Sequence, residues 1–157
     1  MDLVSRRSRH QHIVDLSTEA DTQRFGAALA AFLAAGDWVS LIGPLGVGKT
    51  ALARSVIQAR LGGEVEVPSP SYTLVNIYGA EPEIWHADLY RISTPDEIDE
   101  IGLLDRQSEC ITLVEWPERL GGLLPDRRLE IALAFTSAEG RKARVTCIGD
   151  WPEEFLR

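Results

Sequence analysis

Between residues 43 and 50 the chain reads Gly-Pro-Leu-Gly-Val-Gly-Lys-Thr, a match to the pattern Gly-x-x-x-x-Gly-Lys-[Ser/Thr]. Glycines leave the backbone free to turn its N–H groups inward around an anion, and the helix that follows adds its positive N-terminal end. Such a loop works where it joins a strand to a helix. Both partners are legible here. Residues 38–42 form a short apolar run, and residues 51–61 are rich in helix formers until Gly62 and Gly63 break the pattern. The expected cradle therefore uses backbone groups from Gly46, Val47 and Gly48 through to Ala51. Lys49 would reach the β- and γ-phosphates of a nucleotide, and the Thr50 hydroxyl would hold Mg²⁺.

The rest of the chain supplies a sheet for that loop to sit on. Ser17 or Thr18 can cap a helix running to about Ala35, with Phe25, Leu29, Phe32 and Leu33 at helical spacing. Gly36 ends it. Pro68 and Pro70 flank a stiff turn before an alternating strand over 72–78, and 83–87 is a second strand. Pro95 opens a short acidic helix through Gly102. The unbroken apolar run 111–114 suits a strand covered on both faces. Residues 128–136 and 142–148 alternate around Glu139-Gly140, the signature of an antiparallel hairpin. The expectation is an α/β fold: a three-layer P-loop NTPase whose mixed, mostly parallel central sheet ends in a hairpin.

With 157 residues there is room for one such domain, taken as 13–157 behind a flexible basic tail over 1–12. The net charge is −8. Proteins that grip nucleic acid unaided usually carry the opposite balance, so contact with RNA is expected mainly through a partner, and DNA is not expected. Two cysteines without a Cys-x-x-Cys spacing argue against a disulfide scaffold and against structural zinc. Apolar stretches such as 27–35 fall short of a bilayer span, and the basic start lacks the apolar core of a secretory signal. The expected location is cytoplasmic, away from membranes.

A phosphate loop needs a carboxylate at the end of another strand to complete a magnesium shell and orient water. Glu115 follows the apolar run 111–114 and Asp88 follows 84–87; of the two, Glu115 better suits a central strand beside the loop. The segment Pro-Ser-Pro-Ser-Tyr-Thr (68–73) lies where nucleotide-sensing switches often sit, with Ser71 and Thr73 hydroxyls available for a γ-phosphate or its metal. Trp116 reads as core or cleft wall, and His86 as a plain strand residue with no ligand role. Guanine-specific enzymes use Asn-Lys-x-Asp, whereas the sole asparagine here, Asn76, precedes Ile77. ATP is therefore the expected nucleotide. A small-molecule kinase and a non-hydrolysing nucleotide sensor remain open alternatives.

Four ordered motifs then stand together: residues 43–50, Pro-Ser-Pro-Ser-Tyr-Thr-Leu-Val (68–75), His-Ala-Asp-Leu-Tyr-Arg (86–91) and Val-Glu-Trp-Pro-Glu-Arg (114–119). With Gly-Arg-Lys-Ala-Arg-Val (140–145), they resemble the bacterial TsaE (YjeE) family over about residues 13–149. The resemblance implies the ATPase component of tRNA N6-threonylcarbamoyladenosine (t6A37) synthesis, working with the TsaB–TsaD transferase pair. It also implies phosphate binding by Lys49 and the loop amides, Mg²⁺ held by Thr50 and Glu115, and hydrolysis supported by Asp88. Thr73 would belong to the switch segment, Trp116 would lie beside the site, and Glu19 and Arg141 would approach the nucleotide. Ser71-Tyr72 departs from the Thr-Tyr or Thr-Phe of many members but keeps the hydroxyl.

Overall fold

The computed structural model describes residues 10–136 and 139–156. In chain order it runs β1 (His10–Leu16), α1 (Glu19–Phe32), β2 (Trp38–Ile42), α2 (Lys49–Leu61), β3 (Val75–Tyr78), β4 (Ile84–Asp88), α3 (Pro95–Ile101), β5 (Ile111–Glu115), β6 (Arg128–Phe135) and β7 (Arg141–Ile148), with 3₁₀ turns at Pro117–Leu123 and Glu153–Leu156. All seven strands share one sheet, ordered β1-β7-β6-β2-β5-β4-β3. The pairings of β2 with β6, β2 with β5 and β4 with β5 are parallel. Those of β1 with β7, β6 with β7 and β3 with β4 are antiparallel. The parallel centre and antiparallel flanks are those expected of the P-loop class.

Burial explains why the middle strands read as continuous apolar runs and the outer ones as alternating. Every residue of β4 and β5 is buried, whereas β6 alternates over its first six positions before opening at its end. On one face, Leu29 and Leu33 join Leu52, Val56 and Ile57 of α2 in a core with Val39, Leu41, Leu113, Ile131 and Val145. On the other, Ile98, Leu103 and Leu120 pack with Trp38, Trp85, Ala87 and Val114. Helix layers thus cover both faces of the parallel centre.

Local chemistry sets the helix ends. Thr18 Oγ1 accepts from Asp21 N–H at 3.1 Å while the Asp21 carboxylate accepts from Thr18 N–H at 3.0 Å, a reciprocal cap that starts α1. The helix stops at Phe32 rather than near Ala35, because Leu33 turns to extended backbone and the Asp37 carboxylate takes the Ala34 N–H at 2.8 Å. Likewise β3 begins at Val75: the stretch expected to start a strand at residue 72 is instead a turn, closed by Leu74 N–H to Pro70 O at 2.8 Å with Leu74 at φ 67°.

One difference concerns the start of the chain. Residues 10–12, assigned by sequence to the tail, belong to β1 and pair with β7, His12 facing Val145. Their pattern is too polar to announce a strand, and only the partner edge of β7 makes it one. Residues 1–9 of that tail, with Arg6, Arg7 and Arg9, lie outside the described residues. Among the described residues, no helix is long and apolar enough to cross a membrane.

Candidate functional site

The loop after β2 takes the shape its glycines permit. Gly43 sits at φ +152°, and a Cβ there would come within 2.7 Å of Leu133 O and 2.8 Å of Val47 Cγ1. Gly48 caps α2 at φ 110°, in the left-handed region that side chains rarely adopt. Val47 is fully buried and anchors the loop from below. Lys49 opens α2 and is 95% hidden, with a relative exposure of 5%. Its ammonium donates to Gly43 O, lies 3.5 Å from Pro44 O and sits 3.6 Å from the centre of the Trp116 ring. Burial pushes its pKa down, while Glu115, Glu118 and Asp88 pull it back up. The cation is thus held by carbonyl dipoles and an aromatic face, partners weaker than an anionic oxygen.

Both carboxylates singled out by sequence lie near the start of α2: Glu115 bonds to Thr50, and the charge of Asp88 acts on Lys49. Glu115 ends β5, the strand beside β2, and Asp88 ends β4 in register with it. Thr50 Oγ1 lies 2.9 Å from Glu115 Oε1 and 3.0 Å from Oε2, donating to the carboxylate. Asp88 accepts the Tyr90 N–H at 2.9 Å, and the Ser71 hydroxyl reaches its other oxygen at 3.4 Å. They stand at the carboxyl ends of parallel strands, the usual place for ligands in such sheets. Thr73 is oriented differently: its hydroxyl donates to Asn76 Oδ1 at 2.9 Å, so Ser71 is the residue of the 68–73 segment bonded to the site. Trp116 follows Glu115 in the left-handed region, φ 58°, which turns its ring onto Lys49.

One residue was passed over. His86 is fully buried, and its Nε2 lies 2.7 Å from Glu115 Oε2. The available signal was a lone imidazole inside an otherwise apolar strand, two residues before Asp88. What could not be seen was which neighbouring strand it would face.

A cavity of about 350 Å³ opens on the other side of the loop. Its walls are Leu16, Thr18, Glu19 and Thr22, the loop residues Gly46, Val47 and Gly48, then Ala51, Leu133 and Arg141. Glu19 and Arg141, far apart in sequence, thus face one space with the loop. Arg141 Nε is buried, and no hydrogen-bond partner among the described residues reaches it. The volume falls in the range of small-molecule sites. Another cavity, about 170 Å³, lies among Phe25, Leu29, Phe32, Val145 and Phe155, but it lacks the glycine loop and the carboxylates. Among the described residues there is no group of three or more His, Cys, Asp or Glu that could hold a metal. A divalent ion at Thr50 and Glu115 would therefore draw further oxygens from a phosphate chain and water, which suits magnesium. The glycine cradle, the buried lysine and the arginine on the cavity wall all fit a magnesium-bound nucleotide.

The pattern of the family described as "Threonylcarbamoyl adenosine biosynthesis protein TsaE" matches residues 16–143. A Rickettsia bellii protein called "tRNA threonylcarbamoyladenosine biosynthesis protein TsaE" is 37% identical over 132 residues, 83% of this chain and 92% of its own. A Streptomyces coelicolor protein of the same name is 35% identical over 136 residues, 82% and 91% of the two chains. The crystal structure of Bacillus subtilis YdiB superposes with a TM-score of 0.77 at 25% identity, covering 94% of this chain and 92% of that one. The matched span contains the whole phosphate loop, both carboxylates and Arg141: the chain belongs to the TsaE family.

Proposed function

We propose that this protein binds ATP with Mg²⁺ and hydrolyses it in support of the t6A37 modification of tRNA, acting with the TsaB and TsaD subunits of the transferase. The observation that carries the reading is the convergence of Lys49 and Thr50 at the start of α2 with Asp88 and Glu115 at the ends of β4 and β5. Family membership supplies the pathway.

Each residue has a task in that reading. The loop amides and the Lys49 ammonium bind the phosphate tail, and Lys49 exchanges its carbonyl partners for anionic oxygens. Thr50 and Glu115 hold the metal, which when bound supplies charge neutralisation at the phosphate oxygens. Asp88 orients the attacking water at the end of β4. Through the Ser71 hydroxyl it also couples the 68–73 segment to what occupies the site. Glu19 and Arg141 flank the cavity in which the nucleoside end would lie.

The acidic balance agrees with a component that meets tRNA mainly through its partners. Phosphate release from ATP, measured alone, then with TsaB–TsaD, then with tRNA, tests the reading. Stimulation by the pair, abolished by Lys49→Ala, is the expected result. Label appearing on a small acceptor rather than as free phosphate would identify a kinase, and no release in any mixture would end the ATPase assignment.

A further inference from the structure

The strand β4 carries a polar side chain that the reading above does not use. His86 has no solvent exposure, yet an apolar residue of similar size would fill the same space without the cost of burying two ring nitrogens. One nitrogen, Nε2, is 2.7 Å from Glu115 Oε2; the other, Nδ1, is buried with no partner. An ionised carboxylate only accepts hydrogen bonds, so the short contact requires that Nε2 carry the proton. The imidazole is therefore built around its bond to Glu115.

Side chains alternate along a strand, so Ile84, His86 and Asp88 share one face of β4. The core partition agrees: Ile84 packs with the α2 side, and Trp85 and Ala87 with the opposite side. In register across β5, His86 stands opposite Leu113 and Asp88 opposite Glu115. His86 thus lies one step deeper in the sheet than the carboxylates. It holds one Glu115 oxygen from below while Thr50 spans both from the first turn of α2. Two anchors on different elements leave the carboxylate little freedom to rotate.

We infer that His86 is a positioning residue, whose Nε2–H fixes the Glu115 carboxylate in the orientation that receives the nucleotide-bound magnesium ion. This rests on the reading of the site as a magnesium–ATP site. Partners of this kind typically change metal affinity by about 10–100-fold when removed. The effect falls on the magnesium requirement and spares the contacts of the loop with the phosphates.

The test uses the intact chain and a non-hydrolysable ATP analogue, with binding followed by fluorescence in EDTA and across a magnesium titration. His86→Leu is expected to raise the half-saturating magnesium concentration by about 10–100-fold. Its affinity for the analogue in EDTA should match the unmodified protein. His86→Gln restores an N–H donor near the Nε2 position and is expected to recover most of the loss. A normal magnesium requirement in His86→Leu, or a Gln variant as impaired as Leu, would overturn the inference.

A second measurement needs no substitution of the histidine. With three histidines in the chain, ¹⁵N spectra should resolve a hydrogen-bonded Nε2–H that shifts in Glu115→Gln. An unshifted signal would equally overturn the inference. If the unmodified protein binds no analogue with or without magnesium, the ATP reading fails first and the role assigned to His86 goes with it. Normal binding by the unmodified protein with no difference among the variants sinks the histidine alone.

Discussion

At residue scale the site is defined by what Lys49 lacks. Its ammonium is nearly buried, bonded to its own loop's carbonyls and resting on Trp116, all partners inferior to a phosphate oxygen. Replacing it by alanine removes charged hydrogen bonds worth about 2–3 kcal/mol, so ATP binding should weaken by about 100-fold, read by titration calorimetry. Because the cation lies 3.6 Å from the indole, phosphate arrival should change tryptophan emission, and Trp116→Phe should abolish that change although three other tryptophans remain. An unaltered signal in that variant would place the reporter elsewhere. His86 and Glu115 belong to the same scale: one bond of 2.7 Å links the interior of β4 to the carboxylate at the end of β5.

At the scale of elements, the site depends on how α1 and α2 cross. Gly26 of α1 lies so close to α2 that an added Cβ would fall 2.3 Å from Ser55 Cβ and 3.0 Å from its carbonyl carbon. Gly26→Ala must push the helices apart, at a cost of about 1–3 kcal/mol in denaturant unfolding. Since α1 carries Glu19 and α2 starts with Lys49, the same change should also weaken nucleotide binding. Thr18→Ala opens the reciprocal cap with Asp21 and should cost about 1 kcal/mol while leaving the phosphate loop intact. A loss of binding larger than the loss of stability would give Thr18 a ligand role, consistent with its place on the cavity wall.

For the molecule as a whole, the two cores on either face of the sheet shelter one cysteine each. Cys110 and Cys147 are buried, and burial pushes both thiols above their ordinary range. A group that holds its proton more tightly folded than unfolded makes stability fall as pH rises through its unfolded value. That decline should begin near pH ~8.5. Comparing urea unfolding of the unmodified protein with Cys147→Ala between pH 7 and pH 10 isolates the contribution. The unmodified protein should lose more stability across that range, and parallel curves would contradict the assignment. Neither thiol should react with a thiol reagent until the sheet opens.

The sequence by itself determined the phosphate loop, its flanking strand and helix, and the terminal hairpin, because each depends on local chemistry. Glycines at 43, 46 and 48, periodic apolar residues and the turn at Glu139-Gly140 act within a few residues of one another. Glu115 and Asp88 were also legible, since a carboxylate closing an apolar run marks a strand end wherever that strand lies. The tertiary structure alone decided what needs neighbours. The polar segment His10–Leu16 is a strand only because β7 offers an edge. Ser71 rather than Thr73 bonds to Asp88 because a left-handed Leu74 redirects the segment. His86 faces Glu115 because β4 lies parallel to β5 in a register no local pattern encodes. Pairing between distant strands is a property of the whole sheet, and residues whose roles run through such pairings stay hidden until it is assembled.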